Sequence, residues 1–268
     1  MNYNSKKMKI AIIGAGAMGG SFAEGLLKGC IFNPSDVTIA NPHEDKLKRF
    51  SDLGANTTTN NIEAIKDADI ITIVVKPWLV EQVVDDIKDS IDYNHQIIIN
   101  MAAAIKADTL FDWLDKDGQK PVLFQVIPNI AIAQKASMTF IVPCGASNEQ
   151  TAIVKEVFDD LGKSLITDEA HLGAGTTLAS CGIAYAMRYV RAASEGGVEL
   201  GFKADIAKEI VLQTMKGAVE LLQATGLHPE AAIDQVTTPG GLTIKGLNTM
   251  EKNGFSNAVI EGLKAGIK

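Results

Sequence analysis

The sequence predicts an α/β fold, a doubly wound and mostly parallel sheet followed by an all-helical C-terminal domain. Three observations carry that prediction. Short runs of apolar, often β-branched residues alternate with helix-patterned segments from Ile10 to Leu161. The first run ends in glycines spaced G-x-G-x-x-G, at Gly14, Gly16 and Gly19. Beyond Gly162–Asp168 the strand pattern stops, and stretches rich in Ala, Leu and Met take over. The domain boundary is placed there, with residues 1–164 in the sheet domain and residues 165–268 in the helical one.

Ile10–Ile13 is the first strand, and Ser21–Gly29 reads as the helix that follows it. Val37–Ala40, after a Pro34-Ser35 turn, is the second strand. His43–Leu53 is polar with Leu47 and Phe50 on one side, the pattern of a surface helix. Asn61–Lys66 is another short helix. Ile70–Val75 is a near-continuous β-branched run, as a strand buried on both faces requires, and Lys76-Pro77 ends it. Trp78–Ser90 carries Leu79, Val83 and Ile87 at helical spacing. Gln96–Asn100 and Val122–Val126 are further strands, with a helix at Asp108–Leu114 between them. A strand at Thr139–Val142 and a helix at Asn148–Leu161 complete the alternation.

In the second half, Ala170–Gly197 is rich in Ala, Leu and Met, and Lys203–Thr225, Glu230–Val236 and Gly254–Lys264 read as helices. Pro239-Gly240-Gly241 and Asn253-Gly254 mark turns between them. Lys203–Thr225 sets Ile206, Ile210, Met215, Val219 and Leu222 in a broad apolar band. A small helical domain cannot bury so wide an apolar surface alone, so oligomerisation is expected.

Composition excludes several classes. The chain has 268 residues, 46% hydrophobic and 21% charged, which is ordinary for a globular protein. Its net charge of -7 and lack of a long basic run argue against nucleic acid as a partner. Cys30, Cys144 and Cys181 are far apart with no C-x-x-C, so neither a disulfide framework nor a zinc site is expected. His43, His95, His171 and His228 show no metal-ligand spacing, and no metal is expected. No apolar run approaches the length of a membrane span. Lys6, Lys7 and Lys9, with Ala15-Gly16-Ala17 after the apolar run, mimic an export signal. The apolar core there is too short and too glycine-rich for one, and a cytoplasmic protein is expected.

The glycine motif explains the same residues through a mechanism. Gly14 permits the tight strand-to-helix turn, Gly16 leaves room for a pyrophosphate to approach the backbone, and Gly19 lets helix and strand pack closely. The helix N-terminus offers free N–H groups and its positive dipole end to the phosphates. This is a Rossmann-like dinucleotide turn. About 20 residues on, a site for NAD carries Asp or Glu for the ribose 2′-hydroxyl. Here that position falls at Asn41, within Ile39-Ala40-Asn41-Pro42-His43. A neutral Asn does not repel a 2′-phosphate, and His43 and Lys46 add positive charge nearby. NADPH is the favoured cofactor, with NADH the alternative.

A second informative segment is Asp234–Glu251, DQVTTPGGLTIKGLNTME. Pro239 fixes φ, and Gly240-Gly241 expose backbone N–H groups at a loop that opens into a helix at Thr243. Such a loop suits a carboxylate, and Thr243 adds a hydroxyl that donates or accepts. A plain helix–helix connector is the competing reading of these residues.

The order GAGAMGG (Gly14–Gly20), VKPW (Val75–Trp78), IPN (Ile127–Asn129) and VTTPGGLTIKGL (Val236–Leu247) resembles the pyrroline-5-carboxylate reductase family, over nearly the whole chain from about Lys9 to Lys264. The resemblance implies reduction of 1-pyrroline-5-carboxylate to L-proline by hydride transfer from NAD(P)H, the last step of proline biosynthesis. It implies that Gly14, Gly16, Ala17, Met18 and Gly19 line the pyrophosphate and that Asn41 sits at the 2′-phosphate. Val75, Lys76 and Pro77 then border the nicotinamide ribose, with Ala102 and Ala103 nearby, and Pro128-Asn129 lies close to the nicotinamide. Thr238, Pro239, Gly240, Gly241, Leu242 and Thr243 hold the cyclic imino acid, with Thr243 as the catalytic residue beside the ring nitrogen. The implied assembly is a homodimer with interlocked helical domains, or a larger ring of dimers.

One segment departs from the family. Its usual run Ser-Gly-Ser-Gly-Pro-Ala-Tyr reads Ala179-Ser180-Cys181-Gly182-Ile183-Ala184-Tyr185 here, with four of the seven positions changed. Two other readings stay open on the residues alone. One is a different NADPH-dependent imine or 3-hydroxyacid reductase, although Lys203, Lys208 and Lys216 lie in no matching motif. The other is a nucleotide-binding regulatory protein without turnover. Ring size of the substrate is not fixed, since one methylene is worth only about 1–3 kcal/mol of discrimination.

Overall fold

The computed structural model describes residues 8–267. Lys6 and Lys7, weighed above as part of an export signal, lie outside them. The chain forms two compact units that divide between Ser180 and Cys181.

The first unit is built on one eight-stranded sheet. Its strands are Ile10–Ile13 (β1), Val37–Ala40 (β2), Asn56–Thr58 (β3), Ile70–Ile73 (β4), Ile97–Asn100 (β5), Val122–Ile127 (β6), Ser137–Cys144 (β7) and Gly162–Ile166 (β8). Their spatial order is β3-β2-β1-β4-β5-β6-β7-β8. Every neighbouring pair is parallel except β6 and β7, which run antiparallel with Gln125 opposite Val142. The strand order reverses at β1, between β2 and β4. That is the topological switch point at which open α/β sheets bind ligands.

The connecting helices are Ala17–Lys28 (α1), Lys48–Ser51 (α2), Asn61–Ile65 (α3), Val80–Ile87 (α4), Ala107–Trp113 (α5), Asn148–Asp159 (α6) and Glu169–Gly175 (α7). They cover both faces of the sheet. Ile10 and Ile12 of β1 join Phe22 and Leu26 of α1 and Phe158 of α6 in one buried cluster. The rings of Phe22 and Phe158 stack with centroids 5.6 Å apart. Ala11 and Ile13 turn to the opposite cluster, with Ile65 of α3, Val84 of α4 and Leu110 of α5. Central strands buried on both sides need this unbroken apolar sequence.

Several elements differ from the sequence reading. α1 starts at Ala17 rather than Ser21, because Gly16 itself is the N-cap and the last motif glycine lies inside the helix. The surface helix expected over His43–Leu53 is broken into a 3-10 turn, Glu44–Lys46, and α2. The segment Trp78–Ser90 is likewise α4 flanked by 3-10 turns. β4 ends at Ile73, leaving Val74 and Val75 in the loop that follows. β3 and β8 were not anticipated at all. Both are edge strands, polar or exposed, and carry no buried alternation to read.

The second unit is helical: Gly182–Glu199 (α8), Ala204–Thr225 (α9), Pro229–Gln235 (α10), Leu242–Lys252 (α11) and Phe255–Ala265 (α12). α8 packs along α9, and α11 along α12. The α8–α9 contact is close, since a Cβ on Gly197 would lie 2.9 Å from that of Ala207. Tyr189 and Phe255 meet edge to face. Between α7 and α8, within the segment rich in Ala, Leu and Met, the chain makes a π-helical turn, Thr176–Cys181. Among the described residues no helix is long and apolar enough to cross a membrane, and no cluster of three or more His, Cys, Asp or Glu side chains stands ready to hold a metal.

Candidate functional site

A cleft of about 1190 Å³ opens over the carboxyl ends of β1, β2, β4, β5 and β6. It exceeds the roughly 300–1,000 Å³ of most small-molecule pockets, as an extended dinucleotide requires.

The glycines at its centre do three different things. Gly14 has φ +109°, and a Cβ there would stand 2.4 Å from the Val74 carbonyl oxygen. A Cβ on Gly19 would lie 1.9 Å from the Gly14 carbonyl oxygen, so the helix rests directly on the turn. A Cβ on Gly16 would meet nothing within 4 Å, and Gly16 lines the cleft together with Ala17 and Met18. α1 has no side-chain cap and no acidic residue in its first turn. Its N-terminal N–H groups therefore face open space with the dipole uncompensated, a cradle that fits a pyrophosphate. Gly19 supports this cradle from behind and does not line the cleft.

Asn41, 7% exposed, lines the cleft at the end of β2. Both polar atoms of its side chain are engaged within the protein. Oδ1 accepts from the Ala15 N–H at 3.1 Å, and Nδ2 donates to the His43 carbonyl at 3.2 Å. The residue ties the glycine turn to the loop after β2. His43 and Lys46 line the same end, where the Lys46 ammonium supplies positive charge.

Val75, Lys76 and Pro77 line the cleft after β4, and Ala102, Ala103 and Pro128 line it after β5 and β6. Asn129 lies behind that wall. It is 4% exposed, its Oδ1 accepts from the Ala131 N–H at 3.0 Å, and its Nδ2 donates to the Ala179 carbonyl at 3.4 Å. Its backbone N–H donates to Ser137 Oγ at 3.1 Å, and that hydroxyl meets Thr139 Oγ1 at 3.0 Å.

Sequence reasoning missed part of the lining. Gln82, Val83 and Asp86 contribute from α4, and Leu79 from the 3-10 turn that leads into it. Their spacing is a helical stripe beside the buried stripe of Val80, Val84 and Ile87, and it was available in the sequence. Asn61, whose Nδ2 donates to Asp86 Oδ2 at 3.1 Å, follows the unread strand β3. Thr176 and Ser180 arrive from the π-turn, for which the sequence holds no signal.

The Thr238–Thr243 loop belongs to the second unit. Gly240 adopts φ +71°, and the Gly241 N–H donates to the Thr238 carbonyl at 3.0 Å. Gly241 then caps α11 with extended backbone and no side-chain bond. A Cβ on Gly241 would stand 2.5 Å from Thr238 Oγ1. α11 begins at Leu242, one residue before the sequence reading placed it, so Thr243 sits in its first turn with an exposed side chain.

Residues 9–104 match the family model described as NADP oxidoreductase, coenzyme F420-dependent, and residues 169–268 match the one described as pyrroline-5-carboxylate reductase dimerisation. Pyrroline-5-carboxylate reductase 2 of Dictyostelium discoideum is 34% identical over 268 aligned residues, covering 95% of this chain and 89% of that protein.

The chain belongs to the pyrroline-5-carboxylate reductase family.

Pyrroline-5-carboxylate reductase 1 of the same organism is also 34% identical over 95% of this chain, which spans 48% of that longer protein. The crystal structure of Plasmodium falciparum pyrroline carboxylate reductase with NADP bound has a TM-score of 0.87 to this fold. It shares 23% identity and covers 97% of this chain and 95% of its own, a likeness of fold. Members of the pyrroline-5-carboxylate reductase family are NAD(P)-dependent oxidoreductases, and the open cradle at Gly16 fits the pyrophosphate of such a cofactor.

Proposed function

We propose that this member of the family reduces 1-pyrroline-5-carboxylate to L-proline with NADPH. The observation that carries the reading is the pairing of two built features in one family member: the glycine cradle at the switch point of the sheet, and the PGG loop opening α11. We place dinucleotide binding in the unit that ends at Ser180, and substrate binding and dimerisation in the unit that begins at Cys181, sixteen residues beyond the 164/165 boundary read from the sequence.

Bound NADPH supplies the hydride that is delivered to C5 of the pyrroline ring. The chain binds and orients. Gly14, Gly16, Ala17 and Met18 hold the pyrophosphate, with Gly19 setting the helix behind them. Asn41 fixes the loop that presents His43 and Lys46 to the 2′-phosphate. Val75, Lys76 and Pro77 border the nicotinamide ribose, and Ala102, Ala103 and Pro128 wall the ring, with Asn129 bracing that wall. The N–H groups of Gly240 and Leu242, on either side of the Gly241 N–H that is bonded to the Thr238 carbonyl, hold the substrate carboxylate, and Thr243 hydrogen-bonds the ring nitrogen. A protonated imine is already electrophilic, so alignment and exclusion of water are the main tasks. Such positioning is worth on the order of 7–11 kcal/mol.

The assembly we propose is a homodimer, or a ring of dimers, joined through the helical unit. No residue of α8, α11 or α12 is buried within one chain, while Met187, Leu200 and Phe202 are half or more exposed. The unpaired Cys30, Cys144 and Cys181 support a reducing compartment, and we place the protein in the cytoplasm.

The test is loss of nicotinamide absorbance with 1-pyrroline-5-carboxylate, run in parallel with NADPH and NADH. Turnover to proline, faster with NADPH, is expected. Protein that binds NADPH yet oxidises it with no cyclic imino acid would overturn the reductase reading.

A further inference from the structure

We propose that Ser180 is a cofactor-positioning residue, its hydroxyl hydrogen-bonding the carboxamide of the nicotinamide. The proposal rests on the NADPH reading above. The cleft wall after β5 and β6 is apolar, formed by Ala102, Ala103, Ile127, Pro128 and Ile130. Among the described residues, the side-chain hydroxyls at this wall come from the π-turn, Thr176 and Ser180. The Thr176 hydroxyl has committed its proton, donating to the Leu172 carbonyl at 2.7 Å, and keeps only acceptor capacity, so Ser180 alone of the two can donate. Among the described residues no hydrogen bond engages the Ser180 hydroxyl, which is half-buried and lines the cleft.

The sheet decides which part of the ligand meets this wall. In a doubly wound sheet the two halves of a dinucleotide lie on opposite sides of the switch point. The β2 side takes the adenosine, where Asn41, His43 and Lys46 lie, so the β4–β6 side takes the nicotinamide half. The one polar substituent on that ring is its carboxamide, and it needs a partner once water is excluded. The wall is also held firmly. Asn129 Nδ2 reaches the Ala179 carbonyl at 3.4 Å, and Ala179 packs against the buried cluster beneath the sheet. A π-turn at a ligand site is a recurrent way to re-aim one side chain in a helix.

The experiment measures Kd without any imino acid, for NADPH and for 2′-phospho-ADP-ribose, which lacks the nicotinamide. Wild type, Ser180→Ala and Ser180→Thr are compared by fluorescence or calorimetry. The proposal expects Ser180→Ala to weaken NADPH about 3- to 10-fold, the loss of one neutral hydrogen bond. It expects 2′-phospho-ADP-ribose to change less than twofold, and Ser180→Thr to restore NADPH binding. Equal losses on both ligands would mean a change of shape in the wall and would overturn the proposal. So would an unchanged Kd for NADPH. Wild-type protein that binds neither ligand would overturn the nucleotide reading, and this proposal with it.

Discussion

Replacing Gly16 with Ala separates binding from folding. A Cβ at Gly16 meets nothing within 4 Å, so the free protein has room for it. Its effect on stability is limited to the helix cap, where Ala is a poorer residue than Gly, at about 0.5–1 kcal/mol. The methyl instead fills the space between the backbone N–H groups of α1 and the pyrophosphate. Loss of one hydrogen bond to a charged group is worth about 1.5–3 kcal/mol, or roughly a 10- to 150-fold rise in the Kd for NADPH. Gly19→Ala is the contrasting variant. Its Cβ would stand 1.9 Å from the Gly14 carbonyl oxygen, so α1 must lift by about 1 Å, an overpacking strain of about 1–3 kcal/mol. Denaturant unfolding and NADPH titration of both variants provide the assay. Gly16→Ala should lose the ligand with only the small midpoint shift of the cap, whereas Gly19→Ala should lose both stability and ligand. A Gly16→Ala protein that binds NADPH as tightly as the wild type would refute the placement of the pyrophosphate.

Thr243→Ala should lower kcat/KM for 1-pyrroline-5-carboxylate about 10- to 150-fold, the equivalent of a hydrogen bond to a charged group, in steady-state assays at saturating NADPH. Asn41→Asp should move the cofactor preference toward NADH. The new carboxylate keeps the Ala15 N–H but sets an oxygen against the His43 carbonyl, and adds negative charge beside the 2′-phosphate position; the NADPH/NADH ratio of kcat/KM reads it. Asn129→Ala should destabilise the protein by about 1–3 kcal/mol in urea, because the Ala131 N–H and Ala179 carbonyl both lose a buried partner. Asp160→Asn tests a pH dependence. Burial alone would raise the Asp160 pKa, but the Cys30 N–H at 2.7 Å and Lys135 Nζ at 3.0 Å outweigh it and hold the carboxyl below its usual value. A depressed carboxylate stabilises the fold above its unfolded pKa and loses that contribution as pH falls through the folded value. The variant should therefore be less stable than wild type at pH 7, with the gap closing below about pH 4 in unfolding curves taken across pH.

What the sequence revealed tracks how each element is stabilised. Strands in the middle of the sheet are buried on both faces, so Ile10–Ile13 and Ile70–Ile73 must be apolar throughout and read plainly. The edges are different. Asn56–Thr58 and Gly162–Ile166 each pair on one side only and lie largely in solvent, so ladder hydrogen bonds to β2 and β7 hold them, and those partners are remote in the chain. No local pattern encodes such a pairing.

The same distinction runs through the cleft. The glycine turn and the PGG loop are local devices. Their conformations follow from residues within one short segment, so spacing alone exposes them. The wall is not local. Asn129 reaches across fifty positions to Ala179, and the π-turn depends on helix register that residue types do not mark. Asn41 shows the intermediate case. Its lack of charge was legible and bears on the 2′-phosphate, but its second task was not. An amide both accepts from Ala15 and donates to His43, a pair of bonds no carboxylate can make. Neutral charge at position 41 is therefore not only permissive toward the cofactor. It also holds the glycine turn and the adenosine loop in fixed relation, and a residue read for its charge is placed by its geometry.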